Sequence, residues 1–204
     1  MNKKLVIGII IVFILAGFFF IYKSTSDKTS IVEPLKNKDL SNFILATEDF
    51  PQGEGWTLKD RVERGKTDVS EYGLNLGWKR GYLASYLRGD LNSDNLDYTR
   101  VDLYISEYPS ENASLVLRTE ESDNFTLYDP LSDPMIGDES KAYKVITRDN
   151  SGVESISYRI EFRKDNLLYT LFIYGTRTDY TLLKDLAKKV EMKVCWKHRE
   201  LMEN

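Results

Sequence analysis

The chain has 204 residues, 28 of them Lys or Arg and 32 Asp or Glu, for a net charge of −4. No stretch concentrates Lys and Arg as a phosphate-tracking surface must, which argues against nucleic acid as a partner and against adsorption to anionic lipid by charge alone. Cys195 is the single cysteine, so no disulfide within the chain can form and stability has to come from packing.

Residues 5–22 read LVIGIIIVFILAGFFFIY, an apolar run without a charge, preceded by Lys3 and Lys4 and followed by Lys23. Eighteen helical residues span about 27 Å, close to the hydrocarbon thickness of a bilayer. The run predicts a transmembrane helix with a short cytoplasmic tip, because the more basic flank stays inside and sends the rest out. Its length and its bulky exit, Phe18 to Tyr22, favour a retained anchor; Ser24 and Ser26 leave cleavage open as the alternative. Leu15-Ala16-Gly17 resembles a lipoprotein cleavage box, but Phe18 stands where the acylated cysteine would be. Gly8 and Gly17 are nine apart and make no close-packing motif.

Residues 23–40 form a polar linker interrupted by Pro34, and residues 41–194 are expected to form one extracytoplasmic domain, with 195–204 as a C-terminal tail. Trp56 to Arg64 reads as a first strand. From Gly77 a second alternates, placing Trp78, Tyr82, Ala84 and Tyr86 on one face and Leu83 and Leu87 on the other. Tyr98 to Tyr108 alternates again, with Val101, Leu103 and Ile105 together, and Pro109 ends it. A short helix capped by Ser110 carries Ala113, Val116 and Leu117 at helical spacing.

Asp129 to Asp138, with two prolines and a glycine, is expected to be loop. Lys141 to Arg148 is a strand, and Glu154 to Arg163 with Leu167 to Tyr174 form a hairpin around Lys164-Asp165-Asn166. Asp179 to Lys193 carries Leu182, Leu183, Leu186, Ala187 and Val190 as one helical stripe, capped by Asp179 or Thr181. Cys195 is expected to be a small packed hydrophobe. Strands, an inserted helix, a hairpin and a final helix predict an α+β domain, an antiparallel β-sheet with helices packed on it.

The order DFPQGEGW, GWKRGY, a strand ending YPSENAS, IGDESKAY, the hairpin RIEFRKDNLLYTLFIYG and the helix LLKDLAKKVEMKV resembles uncharacterised exported or lipid-anchored proteins with a PsbP-like domain, similar in fold to PsbP of the photosystem II oxygen-evolving complex. The resemblance covers about residues 43–194. It implies a binding or assembly module without a shared catalytic constellation.

Candidate chemistry is sparse. His198 is the only histidine, and no Gly-x-Ser-x-Gly elbow, phosphate loop or cysteine pair occurs. Asp90, Asn92 and Asp94 match the first ligands of a calcium loop, but the twelfth position is Val101, not Glu, so a polar connection whose Asx side chains bond their own backbone is the better expectation. Glu107, Glu111, Glu120, Glu121, Asp123, Asp129, Asp133, Asp138 and Glu139 make the middle acidic. Two of them could serve a carboxylate hydrolase, although Asp138-Glu139 after Gly137 more readily orders the entry to the next strand. Asn112 and Asn124 lie in N-x-[ST] tripeptides and are glycosylation sites if the host modifies exported proteins. The expectation is a membrane-anchored, extracytoplasmic, non-catalytic binding or assembly module with no cofactor, holding a protein or small ligand; an exported carboxylate hydrolase is the alternative.

Overall fold

The computed structural model describes residues 39–89, 97–118, 126–149 and 151–202. The apolar run 5–22, Asp90, Asn92 and Asp94, Glu120, Glu121 and Asp123, and Asn124 lie outside them. Seven strands form one antiparallel sheet: β1 Thr57–Arg64, β2 Arg80–Gly89, β3 Tyr98–Glu107, β4 Thr126–Pro130, β5 Glu139–Arg148, β6 Glu154–Lys164 and β7 Leu167–Gly175, in the order β1-β2-β3-β7-β6-β5-β4. The helices are α1 Glu71–Asn75, α2 Ser110–Arg118 and α3 Tyr180–Met202. This is the expected α+β class; among the described residues no helix is long and apolar enough to cross a membrane.

Because side chains alternate along a strand, each cross-strand row of the sheet belongs to one face. One face carries Tyr82, Ala84, Tyr86, Val101, Leu103, Ile105, Ile160, Phe162, Tyr169, Leu171 and Ile173, all buried. Over it lies α3, whose Leu183, Leu186, Ala187, Val190 and Val194 are at most 2% exposed. The 3-10 turn Leu40–Phe43 and the following Ile44, Leu45 and Phe50 complete this core. Tyr86 donates its hydroxyl to the Leu45 carbonyl at 2.6 Å, and Lys193 reaches the Ile44 carbonyl and the Asp49 carboxylate, fastening the entering chain to sheet and helix. Leu40, which the sequence places in the linker, is thus part of the core.

The alternation of β3, the hairpin of β6 and β7 and the stripe of α3 stand as expected. Asp179 caps α3 by accepting from the Thr181 amide at 2.8 Å. Four expectations change. Trp78 sits outside β2, in a second cluster on the opposite face with Tyr108, Ala113, Leu117 and Leu168, because Gly77 at φ +81° turns the chain just before it. The supposed loop begins with β4, a short edge strand where Pro130 is tolerated because it holds the last pair of the ladder, opposite Tyr143. The final helix runs on to Met202, so the described part of the tail is helical. Cys195 is exposed on it, not packed.

Tyr169 stacks on Phe162 with ring centroids 4.7 Å apart, and its hydroxyl is buried without a hydrogen-bond partner among the described residues. Burial holds that phenol well above its ordinary range. An orphaned buried hydroxyl costs more than it returns. Tyr169→Phe is therefore expected to stabilise the domain by about 1 kcal/mol in thermal or denaturant unfolding; a loss of stability would show that the hydroxyl has a partner.

Candidate functional site: the open face of the sheet

The described helices cover only half of the face opposite α3. At the end where β3 finishes and β7 begins, α1 and α2 pack Val69, Leu74, Leu76 and Val116 around Trp78, Tyr108, Ala113, Leu117 and Leu168. Burial there pushes the Tyr108 phenol up to about 12. Beyond this plug the middle strands present two cross-strand rows, Leu83-Tyr104-Thr170-Glu161-Lys141 and Ser85-Asp102-Phe172-Arg159-Tyr143, followed by Leu87-Arg100-Tyr174. No described helix covers these rows.

The chemistry of the rows is ordered. Arg100 donates to Asp102 at 2.8 Å and to Ser85 Oγ at 2.9 Å, and lies 5.8 Å over the Tyr174 ring. Tyr174 closes the triangle, its hydroxyl donating to the other Asp102 oxygen at 2.9 Å. Arg159 pairs with Glu161 and lies between Phe172 and Tyr128, 5.1 and 5.8 Å from their ring centres. Arg64 lies 5.2 Å over Tyr104 and donates to Ser106. Ser85, Asp102, Ser106 and Glu161 are four of the six buried polar residues of the described chain, and all four project from this face.

Electrostatics fix the charge states. Burial disfavours a charged Arg100, but the hydrogen bond and charge of Asp102 outweigh it and hold the guanidinium protonated above its ordinary range. Burial, then the bond to Asp102, push the Tyr174 phenol up; burial and the Asp102 charge do the same to Tyr104. The result is a flat surface of half-buried rings with guanidinium groups laid on them and carboxylates beneath. Stacked arginines lose little freedom when they engage a ligand, and each cation–ring contact is worth about 0.5–2 kcal/mol.

A second concavity, about 420 Å³, lies at the far end of the sheet between Glu54, Arg88, Asp97, Tyr98, Thr99 and Arg177. Its charges are matched internally: Arg88 meets Glu54 at 2.5 Å and Arg177 meets Asp97 at 2.6 Å.

Four acidic residues of the middle stretch, Glu107, Asp133, Asp138 and Glu139, are latches. Glu107 is buried against Arg80, Lys79 and Asn166. Asp133 binds Ser140 and the Met135 amide, while Glu139 takes Ser114 and Arg163. Asp138 accepts from Lys164 and from the Asp165 amide, both at 2.8 Å, and so orders the entry to β5. These bonds overcome burial and hold the Asp138 carboxyl below its usual range. A depressed carboxyl stabilises the fold fully above its unfolded pKa, about 4, and that contribution is lost as pH falls through the folded value. Wild type should therefore lose more stability than Asp138→Asn between about pH 4 and pH 2, with melting curves that converge in acid.

Among the described residues no three metal-binding side chains cluster. The Asn112 side-chain nitrogen donates to the Leu76 carbonyl at 2.9 Å.

No family model matches the chain, and no curated protein matches it. A solved structure does: the extracellular domain of PknH from Mycobacterium tuberculosis, at 11% identity and a TM-score of 0.53 over 79% of this chain and 95% of that one. The likeness is one of fold.

Proposed function

We propose that this chain is a single-pass membrane protein whose residues 5–22 hold it in the bilayer, with its tip cytoplasmic and its α+β domain outside, acting as a non-catalytic binding or assembly module. The observation that carries the reading is the open sheet face, where Arg100, Asp102, Tyr174, Arg159 and Phe172 form a pre-ordered surface. Such a face suits a protein or small ligand held by stacking and by guanidinium hydrogen bonds. The length of the apolar run and its basic flank support the topology. The fold likeness to an extracellular domain agrees with it. A PsbP-like ancestry belongs to the same reading, since it rests on the motif order of the sequence.

The rival, an exported carboxylate hydrolase, needs one carboxyl held protonated near neutral pH. Asp39, Asp133, Asp138 and Asp149 are all pushed toward ionisation, so none of these four is such an acid. Topology is tested with a single reporter thiol, Lys59→Cys on the exposed β1 edge, in a chain whose Cys195 is replaced by Ser. A membrane-impermeant maleimide should label this thiol on intact cells. Labelling only after permeabilisation would place the domain inside and end the proposal.

A further inference from the structure

We infer that the C-terminal end of α3 is a membrane-seating element, with Met192 and Trp196 resting in the interface of the bilayer that holds this chain's own apolar run. The inference rests on the anchoring proposed above. Its independent support is where the described chain begins. Asp39 and Leu40 line a cavity with Arg64, Arg80 and Gly81, which places the domain's entry where β1 ends and β2 begins. By the strand register, β3 ends and β7 begins at that same edge, and β6 ends there too. Helix α3 starts at the opposite edge, where Tyr180 packs on Tyr158, and runs toward the entry; Lys189 and Lys193 grip the entering chain at Asp49 and Ile44. Both the tether and the last turns of α3 therefore leave the domain on one side.

The outer stripe of α3 changes character as it nears that side. Asp185 and Lys188 are exposed and charged; Met192 and Trp196 follow at helical spacing, 61% and 60% exposed. A large exposed Trp beside an exposed Met is out of place on a water-facing helix, and Trp is the residue enriched at bilayer interfaces. From Val194, the last buried residue among those whose side chains are described, to Met202 the helix advances about 12 Å. Only 16 residues, 23 to 38, separate the apolar run from the first described residue, a contour of at most about 55 Å. At that tether length the effective concentration of the bilayer is high, so weak interfacial affinity suffices. Seating this end directs the Arg88–Arg177 end away from the membrane.

The test uses the full chain reconstituted in phosphatidylcholine vesicles with a minor phosphatidylglycerol fraction and lipids brominated near the headgroup. Trp56 and Trp78 are each 7% exposed, so Trp196 is the accessible reporter. Bromolipid should quench the Trp196 share of the emission, more when the bromines sit shallow than deep, and Trp196→Phe should abolish the quenching with unchanged near-ultraviolet dichroism. Incorporation without quenching overturns the seating and leaves the anchor standing. Failure to incorporate overturns both. A blue-shifted but unquenched Trp196 with a dimer on crosslinking would show that a second copy covers this face, and would also overturn the seating.

Discussion

Asp102→Ala is expected to cost about 3 kcal/mol of stability and to abolish whatever the open face binds. Asp102 is 5% exposed and holds two partners at once, Arg100 at 2.8 Å and the Tyr174 hydroxyl at 2.9 Å. Removing it strands a half-buried guanidinium and a phenol, and the loss is theirs more than the pair's. Asp102→Asn keeps shape and acceptor but not charge, and should fall between. The informative variant is Arg100→Met with Asp102→Leu, because replacing both members of such a pair by apolar groups is often neutral or stabilising. We expect it to recover most of the lost stability while the face stays functionally silent. Recovered stability with lost binding would assign this ion pair to the surface and not to the fold. Urea unfolding of the three variants checks the stability order; a double variant no better than Asp102→Ala would make the pair structural.

Gly137→Ala should be comparably damaging, for a backbone reason. Gly137 sits at φ +70°, and a Cβ there would lie 2.3 Å from the Arg163 carbonyl oxygen, which already accepts from the Asp138 amide at 2.8 Å. The left-handed backbone costs an L-residue about 1–2 kcal/mol. The clash with a carbonyl fixed in the β6 ladder adds to that, for a total near 3 kcal/mol or more. The same step also carries the Gly137 amide's bond to Glu191 of α3, so the sheet-to-helix tie loosens with it. Gly152 is the control: φ +84° with nothing within 4 Å, so Gly152→Ala should cost only the conformational part, about 1 kcal/mol. Equal losses at the two sites in thermal melts would contradict the steric account.

The helix-covered face was legible in the sequence because burial on one side of an antiparallel sheet leaves period-two alternation. Val101, Leu103 and Ile105 in β3, and Ile160 and Phe162 in β6, are buried as expected. Elements that bury little left little trace. β4 has an exposed Leu127 and ends in Pro130, so its five residues look like turn; α1 is five residues long. The open face was hidden for a different reason. Arg100, Asp102 and Tyr104 occupy the positions where an amphipathic strand shows polar groups to water. They become a site only through the pairing of β3 with β7, which brings Phe172 and Tyr174 from 70 residues away. The one available signal was the aromatic excess at such positions, Tyr104, Phe172 and Tyr174, where solvent-facing residues are usually small or charged.

Site-directed photocrosslinking in native membranes tests the account most directly, with a photoreactive phenylalanine analogue at Phe172 on the open face or at Lys188 on the outer stripe of α3. The expected result is a discrete adduct from the Phe172 position, lost in the Arg100→Met, Asp102→Leu background, and none from Lys188. An adduct that forms from Lys188 and never from Phe172, or one that persists when the ion pair is gone, would contradict the assignment of the binding surface.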